Sequence, residues 1–341
     1  MRYILILAAV LVAGLSLYLA LRWRGGWIPR LGLVAVALAV LAATGWRVMP
    51  ASMPRHDDGS DLRALYTQVR PLPVGPVRTY HLGHSLVGRD MPAMLAQMAG
   101  HEYALQLGWG ASLRSHHRGP EAVYGFAEEN RTPHFRDPRE ALDSRQYGAF
   151  VMTEMVRLKD AILYEEAITY AGEWAALAAE RSPQTEIFLY ESWHGLEDPP
   201  DWLARIPDDF ERGWSQLLWS AARRADKPVW LIPVGQVMAR LVSEAEATGG
   251  IGEIKSREDL FARMPDGALD PIHPNDLGVY LVALTHYAVI YGRDPLGLPY
   301  ELLRADGTRA TAPSPELARR MQEITWEVVT SQPLTGVTAG P

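Results

Sequence analysis

Cysteine is missing altogether from this chain of 341 residues. That absence excludes disulfides, thiolate catalysis and cysteine metal sites together. Asparagine is nearly missing, occurring only at Asn130 and Asn275. A basic excess is missing too: the net charge is −7 and the pI is near 5.8, against the basic surface that nucleic-acid binding requires. No internal repeat is apparent. What is present is enough apolar content, 48% of residues, to bury a full core in one large or two small domains.

Charge is also absent from two N-terminal stretches, 3–21 and most of 30–48, which flank the basic segment Arg22-Trp23-Arg24-Gly25-Gly26-Trp27-Ile28-Pro29-Arg30. A bilayer span needs about 20 apolar residues, so the pair predicts a transmembrane hairpin within 1–49; a signal peptide followed by a core helix is the alternative. Arginines concentrate in the connecting loop, which places that loop in the cytoplasm and the rest of the chain outside a bacterial inner membrane. Residues 50–76 are rich in Pro, Arg and Asp with little periodicity and are expected as a linker. The stretch 332–341 is expected as a disordered tail.

From Val77 onward strand and helix patterns alternate, which predicts α/β architecture with a parallel sheet. Strands are expected at Val77–Gly83, Tyr103–Gly108, Gly148–Thr153, Glu186–Glu191 and Val229–Pro233, and helices near Met91–Gly100, Leu158–Arg181, Asp208–Arg224 and Gly235–Ala247. In such sheets ligands bind beyond the C-terminal strand ends. Ser85, Gly110, Glu154 and Trp193 all fall there.

Two short blocks carry chemistry. Tyr80-His81-Leu82-Gly83-His84-Ser85-Leu86-Val87-Gly88 reads as strand, tight turn and helix start with a serine at the turn. Ser85 is either a helix cap or a nucleophile whose hydroxyl projects from the sheet edge. Asp270-Pro271-Ile272-His273 supplies a base and a group to orient it, placed in a loop before a helix running toward Gly292.

The two blocks together resemble the nucleophile and Asp-x-x-His blocks of the GDSL/SGNH hydrolase superfamily, over roughly Val77 to Pro299. The resemblance implies a three-layer α/β/α, flavodoxin-like domain over 77–331, with ester hydrolysis or acyl transfer by Ser85, His273 and Asp270. His84 stands where the family has the acidic residue of its first motif. Leu107-Gly108-Trp109-Gly110 resembles the second block and offers the Gly110 amide, with that of Ser85, to an oxyanion. The third block departs: the family's strand-end Asn is replaced by Thr153-Glu154, so Thr153 and Glu154 are the only oxyanion candidates there.

His84, His116, Trp193 and His194 are expected to line the mouth and meet substrate. Trp193, with Trp202, is a candidate for stacking on a sugar; packing at the sheet edge is the alternative. His116, His117, His194 and Asp270 lack metal-ligand spacing, so neither metal nor cofactor is expected. The acidic pairs Asp57-Asp58, Glu128-Glu129 and Glu165-Glu166 read as solvated surface. The leading expectation is a membrane-anchored esterase acting on O-acyl, chiefly O-acetyl, groups of an envelope carbohydrate. A polysaccharide O-acetyltransferase with the same triad and an inactive glycan-binding scaffold are the alternatives. Nothing in the sequence identifies a protein partner.

Overall fold

The computed structural model describes residues 15–16, 18–19, 22, 31, 34–37, 53–67, 70–199 and 201–339. The chain divides into two units, Met1–Ser52 and Met53–Pro341. In the first, every described residue is helical, and Leu15, Tyr18, Leu19, Leu31 and Val36 are exposed. Among the described residues no helix is long and apolar enough to cross a membrane. The spans expected at 3–21 and 30–48 lie largely outside those residues.

The second unit is α/β. Strands β1 (Thr79–His84), β2 (Tyr103–Gly108), β3 (Ala149–Met152), β4 (Glu186–Glu191) and β5 (Val229–Pro233) form one parallel sheet in the order β2-β1-β3-β4-β5. That order is flavodoxin-like, and it puts the change of winding direction, where ligand crevices form, at β1 and its neighbours. The main helices are α1 (Asp90–Ala99), α2 (Leu113–Arg118), α3 (Ala167–Arg181), α4 (Ser215–Ala225), α5 (Val234–Thr248), α6 (Asp276–Tyr291) and α7 (Pro315–Ser331).

Strand alternation builds a separate core on each face. Tyr80, Phe150, Leu189 and Leu231 point to the side covered by α3 and α4. Val151, Phe188, Tyr190 and Ile232 point to the side covered by α1, α5, α6 and α7. In α1 the core contacts come from Met91, Met94, Leu95 and Met98, a helical stripe that seats the segment directly after the Ser85 turn.

Several expectations are corrected. The helix expected over Leu158–Arg181 is two, Leu158–Tyr164 and α3, because Glu166 between them has left-handed backbone, φ 55°. The helix expected over Asp208–Arg224 starts earlier, at Trp202, and passes through a π turn at Phe210–Trp214 before α4. Asp270 and His273 lie not in a plain loop but on β7 (Leu269–Pro274), paired antiparallel with β6 (Phe261–Arg263).

Residues 53–76, expected as a linker, lie against the domain where they are described. A 3₁₀ turn spans Ser60–Tyr66, and the Tyr66 hydroxyl donates to the Val229 carbonyl at 2.9 Å. Arg70 is buried, donating to the carbonyls of Val289 and Ile290 and pairing with Glu186 at 3.1 Å. Leu62 is buried in the core as well, and Asp57 and Asp61 pair with Arg223, so scattered single side chains do the anchoring and no periodic apolar face signals it. The expected tail likewise docks: Thr335 and Val337 are buried, and the Thr335 carbonyl accepts from Arg70 at 3.3 Å.

Candidate active site

Ser85 sits immediately beyond β1, in a tight turn closed by the Val87 amide donating to the His84 carbonyl at 2.9 Å. The turn can be that tight because position 83 is glycine: a Cβ there would come within 2.6 Å of the Thr153 methyl and 2.9 Å of Val87. Ser85 does not cap α1. The cap position is Arg89, without a side-chain capping bond, and the Ser85 hydroxyl instead meets His273.

The Ser85 Oγ lies 2.9 Å from His273 Nε2, and His273 Nδ1 lies 2.8 Å from Asp270 Oδ2. The other Asp270 oxygen accepts from the amides of Ile272 and His273, both at 3.0 Å. Burial alone would raise the Asp270 pKa, but those two amides and the imidazole outweigh it and hold the carboxyl below its usual range. An ionised Asp270 accepts the proton on Nδ1, which leaves Nε2 as the acceptor facing Ser85. His273 is 43% exposed and Asp270 16%, so the imidazole is open to small molecules while its orienting partner is covered.

β7 is held from behind by aromatic residues. The Trp193 indole donates to the Ile272 carbonyl at 2.9 Å, and Phe261 meets both Trp193 and Trp202 edge-on. Trp193 and Trp202 are thus buried supports of the His273 strand, not exposed stacking surfaces. His194 is buried too, its Nδ1 facing Asp209 at 3.4 Å and its carbonyl accepting from Trp202.

His84 and His116 are also buried. The Leu86 amide donates to His84 Nδ1 at 3.3 Å, so Nε2 carries the proton and donates to the Glu154 carbonyl at 2.8 Å. The Gln106 side-chain amide donates to His116 Nδ1 at 2.9 Å, and His116 Nε2 donates to the Gly83 carbonyl at 2.8 Å. Burial pushes both imidazoles down to about 4, which keeps them neutral. All four residues expected to meet substrate are therefore turned inward: His84 and His116 brace the sheet edge, Trp193 holds β7, and His194 faces Asp209. Their place at the C-terminal edge of the sheet was legible, but the direction each side chain faces was not.

The third-block candidates are likewise drawn inward. The Thr153 hydroxyl donates to the Tyr190 carbonyl at 2.8 Å, so its one proton is engaged. Glu154 is fully buried; its Oε1 accepts from Leu113 at 3.3 Å and from its neighbour Met155 at 2.7 Å, while Oε2 has no partner. Burial pushes the Glu154 carboxyl up to about 8. Both side chains are sealed from solvent and turned into the domain, and Glu154 ties the end of β3 to the start of α2. Neither asparagine substitutes. Asn275 caps α6 through Leu277 and Gly278, and Asn130 closes the outer edge of β2 through the Leu107 amide and carbonyl.

The second block fits its expected place. The register pairs His84 with Gly108, so Ser85 and Trp109-Gly110 leave adjacent strands side by side. A Cβ on Gly110 would meet nothing within 4 Å, leaving open space there. Among the described residues no group of three or more His, Asp or Glu could hold a metal ion. Sequence reading passed over Trp109 and Tyr124, which are 44% and 75% exposed beside this opening.

No family model and no curated protein matches the chain. Among solved structures, similarity is found to a protein described as a GDSL-like lipase from Parabacteroides merdae, at 11% identity and TM-score 0.39, covering 65% of this chain and 99% of that one. A second is a carbohydrate esterase family 2 enzyme with a carbohydrate-binding domain from Corynascus thermopiles, at 11% identity and TM-score 0.25, covering 46% and 54%. Likenesses this distant assign neither fold nor activity, and the functional reading rests on the chain's own geometry.

Proposed function

We propose that the protein is a serine ester hydrolase of the SGNH type, acting on O-acyl groups, chiefly O-acetyl, of a carbohydrate. The observation that carries this is the unbroken chain from Ser85 Oγ through His273 to Asp270, at 2.9 and 2.8 Å. In this reading His273 takes the proton as Ser85 attacks the ester carbonyl, then gives it to the leaving alkoxide; water, activated by the same imidazole, releases the acid. The amides of Ser85 and Gly110, beyond adjacent strands, serve as the oxyanion donors in this reading. His273 is 43% exposed, so water can serve as the acceptor of the acyl group.

Two backbone donors without a third side-chain donor predict a slow enzyme. One missing donor costs about 10²–10³ in rate. The same deficit favours the second reading, a glycan-binding scaffold. Acetate release from an O-acetylated oligosaccharide by the full chain decides between them: turnover that disappears in Ser85→Ala supports the esterase, and none in wild type supports the scaffold.

The apolar stretches at 3–21 and 30–48, and the outward apolar side chains described within them, support anchoring in a bacterial inner membrane with the α/β unit outside. A reporter active only outside the cytoplasm should work when fused after Pro54 and fail after Gly26. The reverse pattern would place the esterase in the cytoplasm.

A further inference from the structure

We infer that Trp109, with Tyr124 standing at its edge, is the platform on which a pyranose ring of the substrate lies; this rests on the esterase reading above. Trp109 is the first residue beyond β2, and the register sets it beside Ser85 at the ends of neighbouring strands. Its side chain is 44% exposed, yet it is fixed from several directions. The indole N–H donates to Glu129 at 2.7 Å, and the Trp109 amide donates to the Tyr124 carbonyl at 2.8 Å. The hidden face of the ring rests on Gly125, where a Cβ would come within 2.3 Å of the indole. The Tyr124 ring meets it edge-on, centroids 5.4 Å apart at 75°.

The same support reaches back to the nucleophile turn. Glu129 lies 3.8 Å from Arg89, four residues after Ser85, and the Arg89 guanidinium also donates to the Glu128 carbonyl. The acidic pair expected as plain solvated surface thus fixes an aromatic ring beside the candidate serine. Holding a large exposed ring still lowers the cost of ordering it when a ligand binds.

The chemistry selects the ligand. With its N–H already engaged, Trp109 offers a face and no donor, and an aromatic face carries negative charge that attracts the C–H groups of a sugar ring. At the edge of the ring stand the Glu129 carboxylate and, beside it, the Arg89 guanidinium, polar groups suited to ring hydroxyls and ill suited to a long acyl chain. The platform therefore receives the sugar side of the ester, leaving the short acyl group toward Gly110.

The test compares the full chain, purified in mild detergent, with Trp109→Ala and Trp109→Phe. Three esters are used: an O-acetylated pyranose oligosaccharide, ethyl acetate and ethyl octanoate. Trp109→Ala should lose about tenfold more kcat/KM on the oligosaccharide than on ethyl acetate, chiefly through KM, as loss of one aromatic contact implies, and Trp109→Phe should recover most of it. Equal losses on oligosaccharide and ethyl acetate would reduce Trp109 to a support of the Gly110 segment. A larger loss on ethyl octanoate would assign the platform to the acyl chain. Either result overturns the proposal. Calorimetry with the deacetylated oligosaccharide in a Ser85→Ala background gives an independent reading: Trp109→Ala should weaken binding by about tenfold, and unchanged affinity overturns the platform. If wild type cleaves no ester, the esterase reading fails while this binding result still decides the platform.

Discussion

Two groups of histidines stand at the C-terminal edge of the sheet, and they are built in opposite ways. His273 is 43% exposed, with a carboxylate on one nitrogen and a hydroxyl on the other. His84 and His116 are sealed beneath it, each donating to a backbone carbonyl and accepting an N–H on the other nitrogen. The first arrangement can pass a proton between partners. The second cannot, because burial keeps the rings neutral and both nitrogens are committed to holding β1, its turn and its neighbours in place. One residue type thus serves as reacting group or as bracket, according to what stands on its second nitrogen.

The sharpest way to separate the layers is to remove the hydroxyl. Ser85→Ala should lower kcat on an O-acetyl ester by about 10⁴-fold or more, with unfolding free energy within about 0.5 kcal/mol of wild type. Turnover near wild type in that variant would transfer the chemistry elsewhere. Asp270→Asn comes next. It leaves the fold intact but lets the His273 tautomer reverse, and kcat should fall by up to about 10⁴. A loss below tenfold would mean that the Ile272 and His273 amides, not the carboxylate charge, are what matter at this position.

Acting on the lower layer should move stability more than chemistry. His116→Leu strands the Gly83 carbonyl and the Gln106 amide, and denaturant unfolding should show a loss of about 2–4 kcal/mol. A stable His116→Leu variant would contradict the bracket role. In wild type, His84 and His116 have folded pKa values near 4 against an ordinary 6.5. Their contribution is present above 6.5 and is lost as pH falls through about 4.

The smallest effect is expected at Glu154. Its folded pKa near 8, against 4.5, means stability present below 4.5 and lost as pH rises through about 8. Glu154→Gln keeps an acceptor for Leu113 and Met155 but cannot ionise. Activity at neutral pH should stay within about threefold, and the decline in melting temperature as pH rises from about 4.5 to about 8 should shrink. An unaltered decline over that range would trace the loss to Glu191, whose carboxyl is also pushed up to about 8 by burial.

Much of this architecture was legible in the chain. The five strands fell close to their expected places because β-branched and aromatic runs separated by helical stripes leave few alternatives, and Ser85, Asp270 and His273 were singled out by their residue chemistry, the strand-turn-helix setting of Ser85 and the order of the two blocks. Side-chain direction was not legible. His84 ends β1, His116 lies in the helix that follows β2, and Trp193 and His194 follow β4, all at the edge where substrate residues would stand, yet each is turned inward and buried. Thr153 and Glu154 occupied the right strand end but gave their polar atoms to Tyr190, Leu113 and Met155. Trp109 was passed over because its support comes from Glu129 and Gly125, 20 and 16 positions further on, which no local pattern links to it.

The central claim is that Ser85 alone, activated by His273, is the reacting group. Incubating the full chain with a small alkyl phosphonate and mapping the adduct by mass spectrometry tests it most directly. The account predicts one covalent adduct on Ser85, formed far more slowly in His273→Ala. An adduct on another residue, or none on the folded protein at any pH, would contradict it.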